Sequence, residues 1–101
     1  MALVTRTSSD GKVVTLDISG RFDFSMHQEF RQVYEQDPGS TTQYIINLRQ
    51  TEYMDSSALG MLLLLREHAG GDQAHIKIVH CQPEVKKILT IANFHQLFCL
   101  D

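Results

Sequence analysis

The alternation of strand-like and helix-like segments constrains the fold of this chain more than any other feature of its sequence. After an opening pair of β-like runs, helical segments and β-branched runs follow one another in the order ββαβαβαβ. Strand–helix–strand units with short connections give parallel strands joined by right-handed crossovers. The sequence therefore predicts an α/β fold with a mixed β-sheet flanked by helices.

The two opening runs are predicted to form a hairpin. The segments 3–7 and 12–18 are separated by the segment 8–11, Ser-Ser-Asp-Gly, and Asp-Gly is a strong hairpin signal. Apolar residues occupy alternate positions in the second run, as expected for a strand with one buried face. Gly20 is expected to end this strand. The hairpin places an antiparallel strand at one edge of the sheet.

Three helical segments are predicted in the rest of the chain. The first covers about 25–36 and is expected to end at the segment 37–40, Asp-Pro-Gly-Ser. The second covers 59–69. The third begins at Pro83, a residue favoured at the first helical position, and Asn93 is a candidate C-terminal cap. Strands are predicted between and after them at 44–48, 76–80 and 97–100.

Length and composition fit one domain over residues 1–101. The chain is 43% hydrophobic and 21% charged, which is ordinary for a globular domain. Its formal net charge is −3, which gives no electrostatic basis for binding nucleic acid or an anionic membrane. The longest apolar run, 61–65, is far too short for membrane insertion. Without a signal-peptide pattern, the expected location is the cytoplasm, with Cys81 and Cys99 reduced.

The segment 53–62 carries most of the functional information. It lies between the predicted strand 44–48 and the second helix, at the carboxyl end of a strand where functional groups gather in open α/β sheets. Asp55, Ser56 and Ser57 can each cap that helix, and plain capping explains them without any chemistry. However, two hydroxyls and a carboxylate stand where one cap suffices. The helix is also apolar around most of its circumference, so part of its surface is expected to contact another helix or protein.

Catalytic and cofactor chemistry find little support in the sequence. The five histidines and two cysteines make no cluster with metal-ligand spacing. Neither serine lies in a Gly-x-Ser-x-Gly elbow, and no glycine-rich phosphate loop is present. We therefore expect no catalytic residue, no metal, no cofactor and no enzymatic activity, and leave nucleotide binding open.

Three strings of the sequence resemble one family. The string 55–60, Asp-Ser-Ser-Ala-Leu-Gly, resembles the signature of STAS domains, and more narrowly of bacterial anti-sigma factor antagonists. The string 20–23, Gly-Arg-Phe-Asp, matches the family's turn before the first helix. The string 83–89, Pro-Glu-Val-Lys-Lys-Ile-Leu, is similar to its third helix. The resemblance covers nearly the whole chain and implies a single STAS-like domain.

The resemblance also implies a phosphorylation switch. In the family, the first serine after the aspartate, Ser56 here, is phosphorylated by a cognate serine kinase and dephosphorylated by a PP2C-type phosphatase. The unphosphorylated protein binds an anti-sigma factor, which can itself be the kinase, and the phosphorylated protein releases it. The partner-binding surface would comprise Asp23, Asp55, Ser56, Ser57 and Leu59.

The sequence departs from the family pattern in three places, and one alternative function stays open. Ala58 stands where glycine is commoner, and Arg21 stands where an acidic residue is often found. The sequence reaches Asp101 just after the fifth predicted strand, where many relatives have a further helix. An uncovered surface could therefore bind a partner or form a homodimer. In the alternative, the chain is a constitutive STAS subunit of a larger complex such as a transporter assembly, and its serines are caps only.

Overall fold

The computed structural model describes residues 2–35 and 42–100, which fold into five strands and three α-helices. The strands are β1 (Ala2–Thr7), β2 (Val13–Phe22), β3 (Gln43–Met54), β4 (His75–Val79) and β5 (Cys99–Leu100). The helices are α1 (His27–Glu35), α2 (Ser56–His68) and α3 (Pro83–Ile91). Short 3-10 turns cover Phe24–Met26, Gly71–Gln73 and Phe94–Gln96.

The five strands form one mixed sheet in the order β1-β2-β3-β4-β5. β1 pairs with β2 in the antiparallel direction, and the three other pairings are parallel. The turn of the opening hairpin is closed by the Ser8 hydroxyl, which donates to the Asp10 carboxylate at 2.6 Å and accepts from the Val13 N–H at 3.0 Å. The predicted α/β class, the mixed sheet and the hairpin are confirmed.

One face of the sheet forms the core. Alternate residues in the middle of the central strands are buried, namely Leu16, Ile18, Tyr44, Ile46, Leu48, Ile76 and Ile78. Phe22, Thr51 and Met54 are buried nearer the carboxyl ends of β2 and β3. The three parallel connections all step in the same direction across the sheet, and right-handed crossovers of this kind put their helices on one face. The helices therefore cover the apolar face.

β2 and β3 are longer than the sequence suggests, and this extension builds the candidate site. The prediction that Gly20 ends β2 was wrong: Gly20 adopts a φ of 78°, which supports a shift of register rather than a termination, and β2 continues to Phe22. β3 continues beyond Leu48 to Met54. The buried Thr51 hydroxyl donates to the Ile18 carbonyl at 2.8 Å and ties the two extended segments together.

Smaller boundary differences have local causes. The predicted helix 25–36 opens as a 3-10 turn at Phe24–Met26 before α1 begins, and the predicted stop at 37–40 lies outside the described residues. The predicted strand 97–100 shrinks to Cys99–Leu100, because a 3-10 turn occupies the residues just before it. Asn93 has a φ of 63° beyond the end of α3, as predicted for a C-terminal cap.

α2 is not fully covered. It begins at Ser56, directly after the Asp55 cap, rather than at residue 59. Leu62 and Leu65 are completely buried, whereas Leu63 and Leu64 are 39% and 55% exposed. Part of the apolar circumference therefore faces outward, as the sequence predicts. Within the ranges 2–35 and 42–100, no helix combines the length and the apolar character needed to cross a membrane.

The face opposite the core carries a polar network across three strands. Asp17 accepts two hydrogen bonds from the Arg6 guanidinium, at 2.7 and 3.0 Å, and one from the Asn47 amide at 2.8 Å. The bond from Arg6 contributes most to lowering the pKa of Asp17 below its usual value, and the bond from Asn47 adds to it. This network holds β1, β2 and β3 together on the side that the helices leave open.

Replacing Asp17 by asparagine is expected to lower the free energy of unfolding in a pH-dependent way. The folded-state pKa of Asp17 is depressed, so its contribution is complete above the unfolded pKa of about 3.9 and is lost as the pH falls through the lower folded value. Urea unfolding followed by circular dichroism should show a constant difference between the wild type and Asp17→Asn above about pH 5, shrinking below about pH 4.

Asp72→Asn is the control, because the Asp72 side chain is 94% exposed in its ion pair with Arg66. We expect it to change stability at pH 7 by less than about 0.5 kcal/mol. A difference between the wild type and Asp17→Asn that stays constant into strong acid would contradict the assigned role of the Asp17 carboxylate.

Candidate functional site

The site lies where β2 and β3 end side by side. Phe22 and Met54 are the last residues of the two strands, they are register partners, and both are buried. The next residues, Asp23 and Asp55, each leave the sheet in an extended conformation and begin a turn or helix. Because adjacent strands lie about 4.8 Å apart, the two aspartates begin neighbouring turns at the edge of the sheet formed by the carboxyl ends of the parallel strands.

Asp55 is the N-terminal cap of α2. Its carboxylate accepts from the Ala58 N–H at 3.1 Å, which satisfies one of the unpaired amides at the helix start. Ser56 is the first residue of α2 and is exposed, whereas Ser57 is half-buried. The cap is thus provided by the aspartate, and the Ser56 side chain lies at the surface.

Asp23 performs the same task for the 3-10 turn at Phe24–Met26. Its carboxylate accepts from the Ser25 N–H at 3.0 Å and from the Ser25 hydroxyl at 2.6 Å. These bonds, with the hydroxyl contributing most, hold the pKa of Asp23 below its usual value. Asp23 is therefore ionised at neutral pH, one strand spacing from the cap of α2.

Four residues at this edge, Arg21, Tyr53, Phe24 and His27, were not among the predicted site residues. The Arg21 guanidinium lies 4.1 Å from the centre of the Tyr53 ring, and its Nε is 3.4 Å from the Asp23 carboxylate. Phe24 is 65% exposed and stacks on His27 with ring centroids 4.9 Å apart. The sequence holds a signal for only one of these side chains: Phe24 belongs to the Phe-Asp-Phe string at 22–24. Strand alternation would bury both phenylalanines, but the 3-10 turn directs the second one outward.

The local charge is mostly negative. The segments 20–26 and 51–58 together contain three carboxylates and one cation, namely Asp23, Glu52, Asp55 and Arg21. The positive end of the α2 dipole partly offsets this charge at Ser56. Within the described ranges, no group of three or more His, Cys, Asp or Glu side chains could hold a metal ion. The arrangement is suited to a surface contact that is sensitive to added charge.

The structure brings together most of the predicted site residues. Asp23, Asp55, Ser56 and Ser57 belong to the two adjacent turns. Leu59 lies one turn into α2, is half-buried and packs against the core, so only part of its side chain is available to a partner.

Comparison with known proteins identifies the family. The family described as "Mlab, STAS domain" matches residues 5–100. The chain belongs to the STAS domain family. A STAS-domain containing protein of Pseudomonas aeruginosa is 54% identical over 98 residues, which are 97% of each chain. STAS domains are binding and regulatory modules rather than enzymes.

Solved structures of low sequence identity to this chain show the same fold. The anti-sigma factor antagonist SpoIIAA in its unphosphorylated form has a TM-score of 0.74 at 16% identity, with 99% of this chain and 87% of that chain covered. The phosphorylated form of the Bacillus protein SpoIIAA has a TM-score of 0.69 at 14% identity, covering 99% and 91%. A sulfate transporter family protein of Wolinella succinogenes has a TM-score of 0.71 at 15% identity, covering 88% and 77%. The STAS-like α/β fold expected from the sequence is confirmed, and it matches that of SpoIIAA.

Alanine at position 55 is expected to destabilise the domain by about 1 kcal/mol, because the Ala58 N–H loses its cap. Asp55→Asn should retain most of the stability, since asparagine is an equally good cap. Ser56→Ala should change the unfolding free energy by less than about 0.5 kcal/mol. Urea unfolding at pH 7 measures all three. A loss in Ser56→Ala as large as that in Asp55→Ala would mean that Ser56 is a structural residue.

Proposed function

We propose that this chain is an anti-sigma factor antagonist controlled by phosphorylation of Ser56. In the unphosphorylated state it binds an anti-sigma factor in the cytoplasm, and the sigma factor is free. Phosphorylation by a serine kinase, which can be the anti-sigma factor itself, abolishes this binding. A PP2C-type phosphatase restores it. The domain acts by binding and has no catalytic role.

The observation that carries this proposal is the position of Ser56. It is the exposed first residue of α2, and the helix is capped by Asp55 instead. A kinase can therefore reach the hydroxyl without opening the fold. A phosphate at a helix N-terminus is also favoured locally by the helix dipole and the unpaired amides. Modification of Ser56 should leave the domain folded.

Phosphorylation acts on the contact surface. A phosphoserine adds about −1.5 to −2 charge beside the Asp23 and Asp55 carboxylates. A partner that packs against a neutral hydroxyl would have to remove water from this dianion, which strongly disfavours the complex. Ser57 and the accessible part of Leu59 belong to the same contact surface, and the exposed Leu63 and Leu64 extend it along α2.

The phosphorylated and unphosphorylated structures of SpoIIAA share the fold of this chain and support the proposal by analogy. The alternative is a constitutive STAS subunit of a transporter assembly, with the serines acting as caps only. It is favoured by the fold shared with the sulfate transporter family protein and by the exposed Leu63 and Leu64, which a permanent partner could cover. The same two leucines could instead form a homodimer.

Phosphorylation of Ser56 is tested by incubating the purified protein with host lysate and Mg-ATP and measuring its intact mass. We expect one phosphate on the wild type and on Ser57→Ala, and none on Ser56→Ala. An adduct that persists in Ser56→Ala and disappears in Ser57→Ala would assign the switch to the neighbouring residue. Absence of any adduct would contradict the switch.

Partner binding is tested by capture from host lysate on immobilised protein, with the wild type beside Ser56→Asp. We expect the wild type to retain an anti-sigma factor and Ser56→Asp to retain at least about tenfold less, while the thermal midpoints of the two proteins agree. Recovery of transporter subunits in equal amount by both proteins would favour the alternative function. A large drop in the midpoint of Ser56→Asp would contradict the view that this residue acts at an interface.

A further inference from the structure

Arg21, near the end of β2, is the one lysine or arginine in the segments 20–26 and 51–58, which form the strand ends and turns around Ser56. The segments 20–26 and 51–58 otherwise hold the carboxylates of Asp23, Glu52 and Asp55. A phosphoserine would add a fourth anionic group to this edge of the sheet. Repulsion among these like charges disfavours the phosphorylated state unless a cation offsets it. Arg21 is therefore the local group able to neutralise a phosphate on Ser56.

The register of β2 and β3 puts Arg21 within reach of that phosphate. Arg21 is the strand partner of Tyr53, which precedes Ser56 by three residues, a distance of at most about 10 Å along an extended chain. The Arg21 side chain already points in this direction, because its Nε is 3.4 Å from the carboxylate of Asp23, two residues further along the chain. Asp23 in turn lies beside Asp55, the residue before Ser56.

The present contacts of Arg21 are weak enough to exchange. Its side chain is 64% exposed, and its bond to Asp23 is long for an ion pair. Its cation–π contact with the Tyr53 ring lies at an exposed site, where such contacts are weak. Asp23 keeps two hydrogen bonds from Ser25 when the guanidinium leaves. A phosphate dianion offers three acceptor oxygens and bidentate geometry to the same guanidinium.

We propose that Arg21 is the intramolecular receptor of the phosphate on Ser56: its guanidinium moves from Tyr53 and Asp23 onto the phosphoserine. This inference rests on the proposed function, because it concerns the phosphorylated state of that site. The exchange uncovers the Tyr53 ring and leaves the Asp23 carboxylate with its two hydrogen bonds from Ser25 but without its cation. A partner then meets a rearranged surface at both turns, and not only an added charge.

The second pKa of phosphoserine measures this contact directly. We would install phosphoserine at position 56 during translation with an expanded genetic code, and titrate its ³¹P chemical shift between pH 4 and 8. A bound guanidinium favours the dianion, so Arg21→Gln should raise this pKa by about half a unit or more. Arg31→Gln is the matched control, because Arg31 is an equally exposed arginine that pairs with Glu35 on α1, and we expect a much smaller change.

The other titratable groups on the elements around Ser56 are identical in the wild type and in these variants, namely Asp23, Glu52, Asp55 and His27. Their effect on the phosphate therefore cancels in the comparison. Arg21→Lys keeps the charge but not the planar fork, and should give an intermediate pKa. Equal pKa values in the wild type and Arg21→Gln, or an equal shift in Arg31→Gln, would overturn the inference.

The experiment separates this inference from the proposed function. Because the phosphate is introduced during translation, no kinase or anti-sigma factor is needed, and failure of the lysate to phosphorylate Ser56 would not affect the titration. Conversely, a phosphoserine pKa that does not depend on Arg21 would overturn the role of Arg21 as receptor but would leave the proposed phosphorylation switch untouched. A second readout is the ¹⁵Nε resonance of Arg21, which should shift on phosphorylation in the wild type and stay unchanged if the guanidinium remains on Tyr53.

Discussion

The parallel pairing of β2 with β3 as far as Phe22 and Met54 determines the position of everything at the candidate site. Both residues are buried, so neither strand can end earlier without exposing a large apolar side chain. Each strand is succeeded by an aspartate, which caps a 3-10 turn after β2 and the helix α2 after β3. The core itself thereby places two capped turns next to each other.

Asp55 and Ser56 have different roles at the start of α2. Because Asp55 caps the helix, the Ser56 side chain can stay at the surface without loss of helix stability. Serine and aspartate are equally good caps, and a chain that used the serine would bury or engage the hydroxyl that a kinase must reach. Here the Asp55 carboxylate accepts the hydrogen bond from the Ala58 N–H, and Ser56 is exposed. Under the proposed function, a phosphate on Ser56 would lie at the N-terminus of α2, where the helix dipole favours an anion. Its unfavourable effect would then fall on partner binding rather than on the core.

Much of this architecture could be predicted from the sequence, because it depends on local patterns. Alternating apolar residues, the Asp-Gly turn and Asn93 specify strands, hairpin and cap through interactions between near neighbours. The extent of β2 could not be predicted, since Gly20 is compatible with both a strand end and a bulge. Pairing with the extended β3, through Thr51 and Ile18, decides between them. That is a contact between residues far apart in sequence.

The candidate site was predictable to a similar extent. Asp55 and Ser56 are recognisable from their string and its position before a helix, whereas the stacking of Arg21 on Tyr53 depends on the register between two strands. The exposure of Phe24 could not be predicted, because it results from the 3-10 turn that follows β2.

The central claim is that phosphorylation of Ser56 changes a surface without changing the fold. Amide ¹H–¹⁵N spectra of the protein with serine or phosphoserine at position 56 test this most directly. We predict shifts confined to the segments 20–26 and 51–60, with the resonances of β1, β4 and α3 unchanged. Shifts spread over the whole sheet, or a collapse of peak dispersion, would contradict the account.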